Sequence, residues 1–462
     1  MDRFEAWFDG QDALAPAAVA SRPRIALPSP GRGLLRITAI LGALLLAASL
    51  VGGAHRIGMI TTSGTVGTTD PGTDSSVDAG GGVTPSSPPD VSTPPQPAVN
   101  GILPIDQCKI TTNNSDIYLS AGFPMSRYRD VESTGVIKIA VIYVQFPDAE
   151  PSESLSALHQ RIESHVSGIY SEMSFGALSI DLVSSSEWIM MDKTSNEYNL
   201  LQSEAKYPSV VKFVTEAVRK ADPGIDFTGI DAVAIFSTEL ADGIAGDFQL
   251  TLQERIPTGE GLGVISTVVT GGEWWRVDSD PMALAHELGH VLGLQDLYYG
   301  ESDDTFEDAH KFVGDFDLMG TGVSQSAAPT IFGWDRWRLG WIEDSQVVCV
   351  SPSEGTEVNI SALQSGTGVI LLVIPLSPTR VVVVESRRAV GWDQNLIESG
   401  ALVYLVDVNI DTTEGPIKIL ADGFGDGFDS APLSAGEYVD ALSYTITSLE
   451  AAAWGDRIYI TP

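Results

Sequence analysis

The chain has 462 residues, 43 % of them hydrophobic. That is enough apolar material for a globular core, and it excludes a wholly disordered or fibrous protein. Its 61 acidic against 26 basic residues give a net charge of −35, a surface that repels phosphate backbones and argues against nucleic-acid partners. Cys108 and Cys349 are the two cysteines, so a disulfide-dense mini-protein and a cysteine-ligated zinc scaffold are both excluded.

Residues 1–36 read as a cytoplasmic tail. The stretch 37–54 (ITAILGALLLAASLVGGA) carries no charge over eighteen residues, the lower bound for a membrane-spanning helix. Arg22, Arg24, Arg32 and Arg36 precede it and Arg56 follows closely. The positive-inside rule therefore predicts a single-pass anchor with everything after residue 54 outside the cell. The alternative is a signal peptide cleaved near Gly52-Gly53-Ala54, which would release a secreted protein. Residues 55–100 follow, dominated by Ser, Thr, Pro and Gly. They cannot bury enough apolar surface to offset their ordering entropy, so a disordered linker is predicted.

The remainder divides by texture into two domains, 101–345 and 346–462. In the first, strands are expected at Val136–Phe146, Leu178–Val183 and Ile230–Phe236. Helices are expected over 152–173, where Leu155, Leu158, Ile162, Val166, Ile169 and Met173 keep helical spacing, and over 200–221, stopped by Asp222-Pro223. Gly263–Val269 reads either as an edge strand that aligns an extended peptide or as plain sheet core. From residue 346 short β-rich runs separated by Gly, Pro and Asp predict an all-β, sandwich-like domain. The fold class is α+β.

The chemistry concentrates in Asp280-Pro-Met-Ala-Leu-Ala-His286-Glu287-Leu-Gly-His290-Val-Leu-Gly293-Leu-Gln-Asp296. Asp280 suits a helix cap and Pro281 a first turn. On that helix His286 and His290 are four apart and share a face, so both can reach one Zn²⁺. Glu287 is displaced around the helix, better placed as a base than as a ligand. Gly293 permits a left-handed turn that ends the helix and lets Asp296 return toward the metal. Two His and one carboxylate leave a fourth position for water, as a catalytic zinc site needs. With six His in the chain, a chance His-Glu-x-x-His is expected on the order of a few times per thousand such sequences.

The segment HELGHVLGLQD resembles the HExxHxxGxx(H/D) motif of metzincin metallopeptidases and is most similar to the immune inhibitor A family. Gly135–Asp148 resembles that family's opening strand with its Phe-Pro-Asp turn, and Tyr170–Ile180 its S-(F/Y)-G-x-L segment. Gly314-Asp-Phe-Asp-Leu-Met-Gly320 resembles its Met-turn, and Leu339-Gly-Trp341 also fits. Glu385-Ser-Arg387, Gly391-Trp-Asp393 and Ser399–Tyr404 look like the β module that follows its catalytic domain. The resemblance implies a metzincin-like domain of twisted sheet and helices. It makes His286, His290 and Asp296 the zinc ligands, Glu287 the catalytic base, and Met319 the Met-turn floor beneath the imidazoles. The third ligand in metzincins is most commonly His, so Asp296 is a departure. His310, Glu301 and Glu307 are the other candidates for that place.

The implied reaction is peptide-bond hydrolysis on protein or peptide substrates. Tyr298 or Tyr299 is a candidate oxyanion stabiliser. Asp422, Asp426 and Asp429 lie in a Gly-rich acidic loop that could suit Ca²⁺ but lacks full EF-hand spacing, which favours a solvated turn. The stretch Glu301, Asp303, Asp304, Glu307, Asp308 is similarly ambiguous. Cys108 and Cys349 both fall on the outside, where a disulfide between them would persist; a rival is a latent-form zinc ligand at Cys108. The expected protein is a membrane-anchored extracytoplasmic zinc endopeptidase. Alternatives are an inactive surface-binding module on a peptidase fold and a zinc amidase of cell-wall material.

Overall fold

The computed structural model describes residues 93–462 apart from 118, 126–130, 202–205, 246, 262, 272–281, 301–308, 321–328, 422–427 and 429. The expected anchor, most of the linker, Asp280, Pro281, the acidic stretch at 301–308 with Glu301 and Glu307, and the Asp422, Asp426 and Asp429 calcium loop lie outside the described residues. Among the described residues no helix is long and apolar enough to cross a membrane.

The fold is mixed α/β. Strand β1 (Gly135–Gln145) is a β-branched run buried on both faces from Ile139 to Val144, which suits the middle of a parallel sheet. It pairs in parallel with β2 (Leu178–Ser184), with the short β3 (Ile189–Met190), and with β4 (Ala232–Ser237). Two further strands, β5 (Asp247–Ile256) and β6 (Val264–Thr270), complete a six-stranded sheet in the order β2-β1-β4-β6-β5. Helix α1 (Leu155–Met173) is capped by the Ser154 side chain and buries Leu158, Ile162, Val166, Ile169, Tyr170 and Met173 against the sheet, the stripe its spacing predicted.

Helix α2 (Tyr207–Ala221) starts later than expected, with Pro208 in its first turn. Leu200 and Leu201, read as helical, instead pair with Ile244 and Ala245 in a short two-stranded sheet. The strand at 264–270 is not an edge. It is hydrogen-bonded in parallel to β4 on one side and antiparallel to β5 on the other, so β5 is the terminal strand.

From residue 347 two sheets face each other. One contains β7 (Val347–Cys349), β9 (Leu371–Ser377), β10 (Arg380–Arg387), β11 (Gly400–Asp407) and β12 (Ile417–Ile419), ordered β12-β11-β10-β9-β7. The other contains β8 (Thr356–Ser361), β13 (Tyr438–Ala441), β14 (Tyr444–Ala452) and β15 (Gly455–Thr461), ordered β8-β15-β14-β13. Strand periodicity splits the first sheet's side chains between two cores. Leu372, Ile374, Val382, Val384 and Val403 meet Val358, Ile360, Ile446, Ile458 and Ile460 between the sheets. Leu371, Val373, Val381, Val383, Leu402 and Tyr404 point the other way. They share a core with Leu284 and Leu288 of the motif helix and with Trp334.

The N-terminal segment runs along this β module. Leu103 N–H donates to the Cys349 carbonyl at 2.8 Å, and Gln96, inside the stretch read as linker, accepts from Asn359 N–H at 3.0 Å. Cys108 and Cys349 form the expected disulfide, with Cα atoms 5.9 Å apart across 241 residues of sequence. Cross-linking so long a loop restricts the unfolded chain, so Cys108→Ser with Cys349→Ser is expected to lower unfolding free energy by about 2–5 kcal/mol. Urea unfolding of the double variant measures this, and an unchanged midpoint would contradict it.

Candidate metal centre

Helix α3 (Met282–Val291) is apolar on most sides, and Met282, Leu284, Ala285, Leu288 and Val291 are buried in the shared core. It is fixed from α1 as well, since the buried Tyr170 hydroxyl donates to the Ala285 carbonyl at 2.7 Å. Gly293, at φ 96°, then turns the chain as its position predicted. Gly293 N–H donates to the His290 carbonyl and Leu294 N–H to the Gly289 carbonyl, both at 2.9 Å, a Schellman closure that satisfies the helix's last carbonyls. The reversal brings Asp296 back beneath the helix.

The result is a convergence of three side chains. His286 Nε2 lies 3.2 Å and His290 Nε2 3.1 Å from Asp296 Oδ1. One ligand atom from each residue lies within 4.8 Å of the other two. Each imidazole is held by its other nitrogen. His286 Nδ1 is 2.9 Å from the Leu318 carbonyl and His290 Nδ1 3.0 Å from the Leu294 carbonyl. A carbonyl only accepts, so each Nδ1 carries a hydrogen, and a ring in its neutral form presents its lone pair at Nε2. Two imidazole nitrogens and a carboxylate oxygen, oriented in this way, are a donor set that fits Zn²⁺. The His290 and Asp296 side chains keep 14 % and 16 % exposure against 5 % for His286, so the cluster opens on one side.

Met319 packs against helix α3. A Cβ built on Gly289 would meet the Met319 sulfur at 2.5 Å, so the thioether lies against the helix at Gly289. Leu297 N–H donates to the Met319 carbonyl at 2.8 Å, which ties the turn to the chain just past Asp296. Glu287 is buried, 6 % exposed, and outside the ligand cluster. Its negative charge acts on His290, Tyr298 and Tyr170, which puts it beside the site.

No family model matches the chain, and no curated protein matches it. Solved structures do. It is similar to metalloproteinase-II from Bacteroides fragilis, at 16 % identity over 50 % of this chain, with a TM-score of 0.26. That match spans 58 % of the bacterial protein, less than two thirds of its length. It is also similar to wild-type OgpA from Akkermansia muciniphila, at 13 % identity over 63 % of this chain and 94 % of that one, with a TM-score of 0.27. Likeness at this level assigns no chemistry; the geometry of the cluster has to do so.

The other predicted residues fall in different places. His310 is buried and pairs with Asp315 at 2.8 Å, outside the cluster. Tyr299 packs edge-on against Phe312. The Tyr298 ring lies over His286 with centroids 6.4 Å apart, and its hydroxyl bonds Asp296. The Asp296 charge, burial and Glu287 together hold that phenol well above its usual pKa.

Sequence reading missed the groups that fix the turn under His286. Asp317 accepts from Met319 N–H at 2.7 Å and Phe332 N–H at 2.6 Å. Burial and the nearby Asp335 push its pKa up to about 8, against the pull of those two donors and of Arg387. Arg387, fully buried on β10, donates to the Phe316 and Thr330 carbonyls and pairs with Glu385 and Asp393, each at 3.1 Å. Glu385 in turn accepts from Gly333 N–H and the Tyr404 hydroxyl. The adjoining Phe-Asp-Leu-Met run and the Glu-Ser-Arg triplet were both visible as motifs, but not that one holds the other.

Burial opposes charge on His290, yet Asp296, helped by Glu287, outweighs it and holds the imidazolium up to about 9; Asp296 is correspondingly held well below the usual carboxylate range. In metal-free protein this pairing stabilises the fold while His290 is protonated and Asp296 ionised, and the contribution fades as pH rises through 9. Zinc uptake has to displace the same proton. Apparent zinc affinity is therefore expected to rise about tenfold per pH unit between pH 6 and 8, in competition titrations with a chromogenic chelator. An affinity independent of pH over that range would contradict the pairing.

Proposed function

We propose that the chain is a zinc endopeptidase of metzincin type, similar to the immune inhibitor A family, anchored in the membrane by residues 37–54 with its catalytic region outside. The observation that carries the peptidase reading is the meeting of His286, His290 and Asp296, with both imidazoles turned by backbone carbonyls to offer Nε2. Glu287 beside them and Met319 packed against the same helix support it. When bound, zinc would supply Lewis acidity at the scissile carbonyl and lower the pKa of its bound water toward about 7. The Glu287 carboxylate takes the water's proton and returns it to the leaving amine. Tyr298, through its hydroxyl, and the Leu318 and Leu294 carbonyls hold the ligands in place. As the terminal strand, β5 offers its outer edge to align an extended substrate by backbone pairing. Anchoring rests on the uncharged stretch and its flanking arginines.

The test uses the full chain purified in detergent. Zinc content near one per chain is expected, with casein cleaved at internal bonds, activity lost to a chelator and regained with zinc. Zinc-loaded protein that leaves casein intact would end the endopeptidase reading. Cleavage of cell-wall amides in its place would establish the amidase.

A further inference from the structure

Asp296 sits in a loop, and a loop residue that serves as a metal ligand needs its backbone held. The holding group comes from 116 residues further along the chain. Strands β11 and β12 pair with Val406 opposite Ile417, and the loop between them, 408–416, reaches back to the motif. Thr412 Oγ1 accepts from the Asp296 N–H at 3.0 Å, and Thr413 N–H donates to the Asp296 carbonyl at 3.1 Å. Both backbone groups of the third candidate ligand are thus satisfied by two neighbouring threonines. Gly300 N–H then donates to the Thr413 carbonyl at 3.2 Å. The contact is close, since a Cβ on Gly300 would meet Thr413 Oγ1 at 2.7 Å and its Cβ at 2.8 Å.

The loop carries strain at this joint. Thr413 has φ 62°, a left-handed conformation that β-branched residues rarely adopt and that persists only where surrounding bonds fix it. Those bonds are present on both sides. Facing the motif are the two bonds of Thr413. Behind it, Asp411 Oδ1 accepts from Leu119 N–H and Thr412 N–H, Ser120 donates to the Val408 carbonyl at 3.0 Å, and Thr112 donates to Asn409 at 2.9 Å. Thr112, Leu119 and Ser120 follow Cys108, whose disulfide ties this part of the chain to the β module.

We propose that Thr412 and Thr413 are positioning residues of the metal centre: the β11–β12 loop sets the backbone of Asp296 and so aims its carboxylate at the two imidazoles. This rests on the zinc reading above. The β module is then part of the site and not an appendage to it.

Thr412→Val keeps the side chain's shape and removes the acceptor for the Asp296 N–H. It is expected to weaken zinc binding about 10–100-fold and to shift the visible bands of the cobalt-substituted protein. Thr412→Ser, which keeps the hydroxyl, is expected to restore both. If Thr412→Val lowers only the unfolding midpoint, with zinc affinity and cobalt spectrum as in wild type, the role is structural and the proposal fails. Should Thr412→Val not fold, Gly300→Ala, which presses on Thr413 from the motif side, decides by the same two readouts. Wild-type protein that takes up neither zinc nor cobalt would instead sink the metal reading itself, and the wild-type titration alone reveals that case.

Discussion

Glu287→Gln is expected to lower kcat on casein by about 10²–10⁴-fold while zinc content stays at the wild-type level. The amide matches the carboxylate in shape but accepts no proton at neutral pH. Glu287 follows His286 on α3, is 6 % exposed, and lies outside the three-residue ligand cluster, so its replacement leaves the donor set intact. The Tyr170 bond that fixes the helix goes to the Ala285 carbonyl and is unaffected. A variant that retains its rate within a factor of ten would remove Glu287 from the role of base. A variant that loses zinc along with activity would show that the side chain holds the site together and does not act on water.

The second large effect is on stability and involves no ligand. Arg387→Ala is expected to cost about 3–5 kcal/mol of unfolding free energy, because it strands two carboxylates, Glu385 and Asp393, away from water. Arg387, Glu385 and Asp393 are at most 1 % exposed, and the guanidinium also serves the Phe316 and Thr330 carbonyls. Guanidinium chloride unfolding reads the loss, and a cost below about 1 kcal/mol would contradict the network. Since Phe316 precedes Asp317, and Leu318 holds His286, weakened zinc binding is expected in the same variant.

What was legible in the sequence was what depends on short spacing. His286 and His290 had to share a helical face, Gly293 had to turn, and Asp296 was three residues beyond the turn; each of these is settled within one segment. The long apolar strand at 135–145 and the stripe of α1 were legible for the same reason, as regular periods over many residues. Strand β5 left a signal that went unread, for Leu250 and Leu252 alternate with polar residues and are buried. Its place at the end of the sheet had no such signal, since strand order is set by partners far apart in sequence. The misplaced start of α2 came from two leucines that pair with Ile244 and Ala245, a contact over forty residues away. The support of the site was hidden likewise. Asp317, Arg387 and Thr412 look like ordinary polar residues until the fold sets them against Met319, Phe316 and Asp296.

That support has a consequence for when the protein becomes competent. A ribosome delivers the histidine helix roughly a hundred residues before Arg387 and Thr412. Until the last third of the polypeptide has emerged and closed its sheets, the turn beneath His286 lacks the guanidinium that seats it, and Asp296 lacks its backbone partners. The nascent chain therefore carries the whole catalytic motif in an unassembled form. On the peptidase reading proposed above, the order in which the parts are made keeps the site unassembled during synthesis.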